Sequence, residues 1–171
     1  MKNLFKFAAL AAVCACAVAP AFADDYVTPT GVSVRIGGFY PSETDTRGNS
    51  GNSWLTAGID FKLKGMKLPV LPRGYFSLSL DYAGKDDYRT APLLLNYTSG
   101  RTLYWSAGAG VTFARFPEDD GTINDKVRFA YSGAIGMNFR NGEIPLFLEV
   151  RYFGCEMPRV AGVAVDVGAR F

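Results

Sequence analysis

Gly162-Val163-Ala164-Val165-Asp166-Val167-Gly168-Ala169-Arg170-Phe171 closes the sequence. Read by twos, Val163, Val165, Val167, Ala169 and Phe171 fall on one side. Gly162, Ala164, Asp166, Gly168 and Arg170 fall on the other. Successive side chains of a strand point to opposite faces, so this stretch predicts a strand with one apolar face and one small-or-charged face. Two settings suit such a strand: the edge of a soluble all-β domain, or the wall of a closed barrel whose apolar face meets lipid. The preceding residues decide between them.

Working back through the chain, seven further segments alternate in the same way. Val32, Val34, Ile36, Gly38 and Tyr40 oppose Ser33, Arg35, Gly37 and Phe39. Leu55, Ala57, Ile59, Phe61 and Leu63 oppose Thr56, Gly58, Asp60 and Lys62. Phe76 to Tyr82 comes third, with Ser77, Ser79 and Asp81 on the polar side. In the fourth, Ala91 to Tyr97, Pro92 removes a ladder donor and Leu94 interrupts the polar face. Leu103 to Phe113 is cleanly alternating, Val127 to Phe139 less so, and Ile144 to Tyr152 has Phe147 as an apolar intruder. Between them lie a polar loop at 42–52, a proline-containing connector at 64–73, tight turns at 84–87 and 98–101, an acidic loop at 117–126, an Asn141-Gly142 hairpin turn and a connector at 154–161. No helical stripe is expected after residue 23.

Segments of about ten residues match a tilted transmembrane β-strand. An even number of antiparallel strands closes without a free edge, which lipid demands because it cannot satisfy unpaired backbone groups. With odd strands running one way and even strands back, Tyr40, Tyr82, Phe113 and Tyr152 mark one end of the apolar face. Phe61, Tyr97, Phe139 and Phe171 mark the other. Two aromatic girdles are expected of a membrane barrel. The opposite face carries Arg35, Asp60, Lys62, Asp81, Arg128, Glu149, Arg151, Asp166 and Arg170, a near-balanced set suited to a lumen charge network. Glycines 37, 58, 108, 110, 136 and 168 on that face leave room for it. A soluble ligand-binding barrel with the faces inverted would force Trp105, Phe129 and Tyr131 inward. The fold class expected is therefore all-β: a closed, eight-stranded, antiparallel, up-and-down transmembrane β-barrel.

The other end of the sequence reads as a targeting segment. Lys2 and Lys6 precede an apolar run from Phe7 to Val18, then Ala21-Phe22-Ala23. This is the form of a secretory signal peptide cut after Ala23, and the run is too short for a spanning helix. Residues 1–23 are thus expected to be a cleaved signal peptide and 24–171 one barrel domain. Processing as a lipoprotein at Cys16 suits Val13-Cys14-Ala15 less well, and a retained interfacial anchor is the further alternative. Cys155 alone would remain, so no internal disulfide is expected. Net charge is +2 with no basic stripe for nucleic acid.

Taken together, the signal peptide, eight segments and terminal Phe resemble the small outer-membrane barrels of the OmpA/OmpX kind. The resemblance implies a bacterial outer-membrane location, a monomer, outer-membrane lipids as surroundings, and recognition of Phe171 by the barrel-assembly machinery. The long connector at 64–73 and the short turn at 84–87 depart from the family's habit and leave the registers of the second to fourth strands open. Lipid-modifying barrels of this size depend on a histidine beside a serine, and the chain has no histidine. No catalytic residue, metal ligand set or cofactor is expected. The acidic loop 118–125 lacks the spacing of a calcium loop. An eight-stranded lumen is only wide enough for side chains. The function expected is a structural or surface-interaction barrel with a plugged, charge-lined lumen. A narrow channel or small-solute conduit is the alternative, with a lipid-modifying enzyme behind it.

Overall fold

The computed structural model describes residues 31–66, 74–117, 122–139 and 145–171. Expectations for the signal peptide, for Pro69 and Pro72, for residues 118–121 of the acidic loop and for Asn141-Gly142 lie outside them. The elements are β1 (Val32–Pro41), α1 (Thr44–Ser50), β2 (Trp54–Leu63), β3 (Gly74–Lys85), β4 (Tyr88–Gly100), β5 (Leu103–Pro117), β6 (Ile123–Phe139), β7 (Leu146–Cys155), a 3-10 turn (Pro158–Val160) and β8 (Gly162–Arg170). Each strand pairs antiparallel with the next, and β8 returns to β1, closing the barrel in sequence order. Val34 pairs with Ala169 and Tyr40 with Val163, so the closing strand docks on the first as the alternation requires. The backbone of Phe171 accepts from Gly31 N–H and donates to Val32 C=O, extending the seam by one residue.

The registers left open at β2–β4 are now fixed: Gly58 opposes Asp81, and Leu80 opposes Leu93. The β3–β4 hairpin is tight because Lys85 pairs with Tyr88 and only Asp86 and Asp87 turn. Asp86 has φ 53°, a left-handed conformation that Asp tolerates better than most side chains.

Three expectations are corrected. The loop at 42–52 contains the short helix α1, and the connector at 154–161 contains the 3-10 turn. Alternation could not reveal them, because neither is long enough to show a helical stripe. The strands flanking the acidic loop are also longer than expected, with Arg115 paired to Asp125 and Pro117 to Ile123. On its other side β6 has its last pair with β7 at Ala130–Cys155, so residues 123–129 bond only to β5 and stand above the rest of the wall. "Upper" below means this end of the barrel, and "lower" the end where β1 begins.

The outward face is apolar. From Leu103 to Phe113, β5 climbs ten residues. At about 3.3 Å per residue and a tilt of about 40° that is roughly 25 Å, the height of a membrane barrel's apolar band. Ile36, Leu80, Ile135 and Val167 lie exposed within it.

Candidate functional site

Inward-facing positions stack in three layers. In the middle layer, Arg35 on β1 reaches over Gly58 on β2 to Asp81 on β3. It can do so because Gly58, paired with both residues, has no side chain in the way. Arg35 Nε donates to Asp81 Oδ1 at 2.8 Å, and Arg35 Nη1 also pairs with Asp60. Asp81 Oδ2 then accepts from Arg151 Nη1 at 3.0 Å, and Arg151 Nη2 pairs with Glu149 Oε1 at 2.7 Å. Tyr104 Oη donates to the other oxygen of Glu149 at 2.9 Å. The result is one continuous chain, Asp60–Arg35–Asp81–Arg151–Glu149–Tyr104, crossing the bore. Asp166 sits beside it, directly opposite Glu149 on one side and Gly37 on the other, buried and with Oδ1 unbonded among the described residues.

The upper layer is apolar. Phe39, Trp54, Tyr88, Leu94, Phe116, Phe153 and Val160 form one buried cluster. Trp54 lies 5.3 Å from the Phe39 ring and 5.9 Å from the Tyr88 ring. Its indole donates to Ser50 Oγ at 2.9 Å, and Ser50 Oγ to Thr46 C=O at 2.7 Å. The helix α1 is thereby fastened to the mouth, with Arg47 Nη1 donating to Pro41 C=O and Ser42 C=O as a second tie.

The lower layer is aromatic and polar. Arg170 stacks 4.6 Å from the ring centroids of both Tyr104 and Phe147 and donates to Tyr75 Oη at 2.7 Å. Below the ion chain, Ser132 donates to Asn96 Oδ1 and Asn96 Nδ2 to Ser79 Oγ. Here a cavity of about 20 Å³, enough for a water, is bordered by Ser77, Asn96, Tyr104 and Glu149.

Of the nine charges expected in one network, Arg35, Asp60, Asp81, Glu149 and Arg151 are linked by ion pairs, and Asp166 adjoins them. Three stand elsewhere. Arg128 is exposed at the mouth, donating to Val127 C=O at 3.0 Å and lying 3.8 Å from Glu156, because its strand has already risen above the wall. Lys62 is at the lower rim, 5.0 Å above the Tyr75 ring, and Arg170 is in the aromatic layer. The interior aromatics Trp54, Tyr75, Tyr88, Tyr104, Phe116 and Phe153 were missed. The signal for them was present: each keeps the parity of the polar positions on its strand, Tyr104 inside the fifth segment and the others beyond the ends assigned to theirs. Leu94 and Phe147, which interrupted the polar faces, are inside, 0% and 1% exposed.

The outer aromatics separate by level. Tyr40, Tyr82, Phe113 and Tyr152 are exposed at the upper end, and Phe61, Phe139 and Phe171 at the lower. Tyr97 shares the lower level but is only 8% exposed, its ring lying over Gly74 between Phe76 and Trp105.

No family model and no curated protein sequence matches the chain. Among solved structures it is similar to the outer membrane protein Ail of Yersinia pestis, whose backbone structure is of the protein in a phospholipid bilayer nanodisc. The match has a TM-score of 0.50 and 13% sequence identity, and covers 83% of this chain and 100% of that one. At that identity the likeness speaks to fold, and with the closed sequence-order barrel it agrees on one: the chain has the fold of the small eight-stranded barrels of the OmpA/OmpX kind.

Proposed function

We propose that the protein is a bacterial outer-membrane barrel, exported by a signal peptide cleaved after Ala23, that acts by surface contact and not as an open pore. The observation that carries this reading is the β5–β6 hairpin. Residues 123–129 project above the wall with one strand edge unpaired, and expose Ile123, Val127 and Phe129. A free edge offers a row of backbone donors and acceptors to another chain or surface. A stable wall carrying one raised strand pair is a support for contact. Grafting residues 114–126 out, by a short turn joining 113 to 127, should leave a folded, heat-shifted barrel that no longer binds the partner cells or matrix bound by the intact protein. Unchanged adhesion would remove the contact role.

The interior supports the second half of the proposal. Apolar side chains fill the upper bore and an ion chain crosses its middle, with α1 tied over the mouth, so the lumen is read as plugged. The channel alternative predicts stable single-channel steps in planar bilayers that change on Arg35→Ala or Arg151→Ala. Steps of that kind would overturn the plugged reading. The absence of histidine argues against the acyl-transfer chemistry of small barrel enzymes. Unaltered lipid mass spectra on overexpression are the expected result.

A further inference from the structure

One place on the lipid-facing wall contradicts the usual rule for cross-strand pairs. Arg89 on β4 and Arg115 on β5 are directly opposite, and both point outward, in step with the Ala91–Phe113 pair beneath them. Like charges so placed repel. Arg115 has an exposed contact with Asp125 at 3.9 Å, too long and too wet to hold it firmly. The Arg89 side chain has no ion pair or hydrogen bond among the described residues and is exposed. On its other side Arg89 opposes Gly84, which leaves a notch. The Tyr82 hydroxyl hangs over that notch, 2.8 Å from where a methyl on Gly84 would sit.

Resting on the membrane-spanning reading above, we propose that Arg89, Arg115 and the Tyr82 hydroxyl form a site for the phosphate of a membrane-lipid headgroup. The pair stands two residues above Phe113, about 5 Å beyond the aromatic level, where headgroup phosphates lie. Guanidinium groups bind phosphate oxygens through paired N–H donors, and the anion offsets the Arg–Arg repulsion. Asp87 stands in the hairpin turn beyond Arg89, above the pair, and Asp125 lies on the far side of Arg115. Asp125 favours seating the phosphate on the Tyr82–Arg89 side, and Asp87 favours seating it below the turn, toward Tyr82.

The test uses the full barrel refolded in neutral detergent, with retained lipids counted by native mass spectrometry. Phosphatidic acid and phosphatidylcholine of matched chains are the probes, and inorganic phosphate is the competitor. Intact protein should retain phosphatidic acid preferentially, and Arg89→Ser/Arg115→Ser should weaken that retention about tenfold. Arg101→Ser, at the lower turn of the same two strands, should leave it unchanged. Equal loss in Arg101→Ser would reduce the effect to general charge attraction and overturn the site. Displacement of the lipid by inorganic phosphate at equal concentration would overturn the assignment to a lipid. Vesicle flotation and the heat-shifted gel band report the membrane reading separately. A barrel that floats but shows no preference sinks only this proposal, whereas one that does not float sinks the membrane reading itself.

Discussion

Gly58 has no side chain, and the two charged residues beside it depend on that. Arg35 and Asp81 both face it across the sheet, and a methyl there would overlap Asp81 Oδ1 and lie 2.8 Å from Arg35 Nε. The same arrangement recurs where Asp166 faces Gly37 and Glu149 faces Gly136. Gly58→Val should therefore cost about 1–3 kcal/mol in urea unfolding, whereas Gly133→Val, with open space around it, should be near neutral. Arg35→Met leaves Asp60 and Asp81 without their shared cation, and removing one partner of a buried pair costs about 3–5 kcal/mol. An unchanged urea midpoint for Arg35→Met would show that water, not Arg35, satisfies those carboxylates.

At the scale of elements, strand parity and outcome can be compared. Which face each strand turns inward was legible from alternation alone, because a closed barrel divides its residues strictly into two environments. Leu94 and Phe147 looked like errors in that pattern only while the interior was assumed to be polar throughout. What alternation could not carry was height. Arg128 and Arg35 have the same parity, but one is on a raised strand and the other at mid-wall. Nor could it show α1, whose place at the mouth depends on Trp54 reaching Ser50. Trp54→Ala should cost about 3–5 kcal/mol and, by cutting that tie, should raise amide exchange in 44–50 more than in β8. Uniform exchange across both segments would show that α1 is held by Arg47 alone.

For the molecule as a whole, closure and assembly are separable. The seam between β8 and β1 is made of backbone pairs that continue to Phe171, but the side chain of Phe171 points outward and is exposed. Deleting Phe171 removes the last backbone pairs of the seam and should cost the refolded barrel about 1–3 kcal/mol in urea unfolding, while lowering its level in the outer membrane by more than that loss explains. Normal membrane levels of the deletion would remove the assembly role. The layering of the interior has a further consequence. With greasy side chains toward the upper end and hydroxyls and amides toward the lower, the interior is chemically uneven along the barrel axis. With the lumen plugged as proposed, small solutes dissolved in water should approach the central carboxylates more readily from the lower side, passing Arg170. On that proposal the two sides of a bilayer holding the protein are unequal to its interior: a change of solvent isotope on the lower side should reach the ion chain sooner than the same change above.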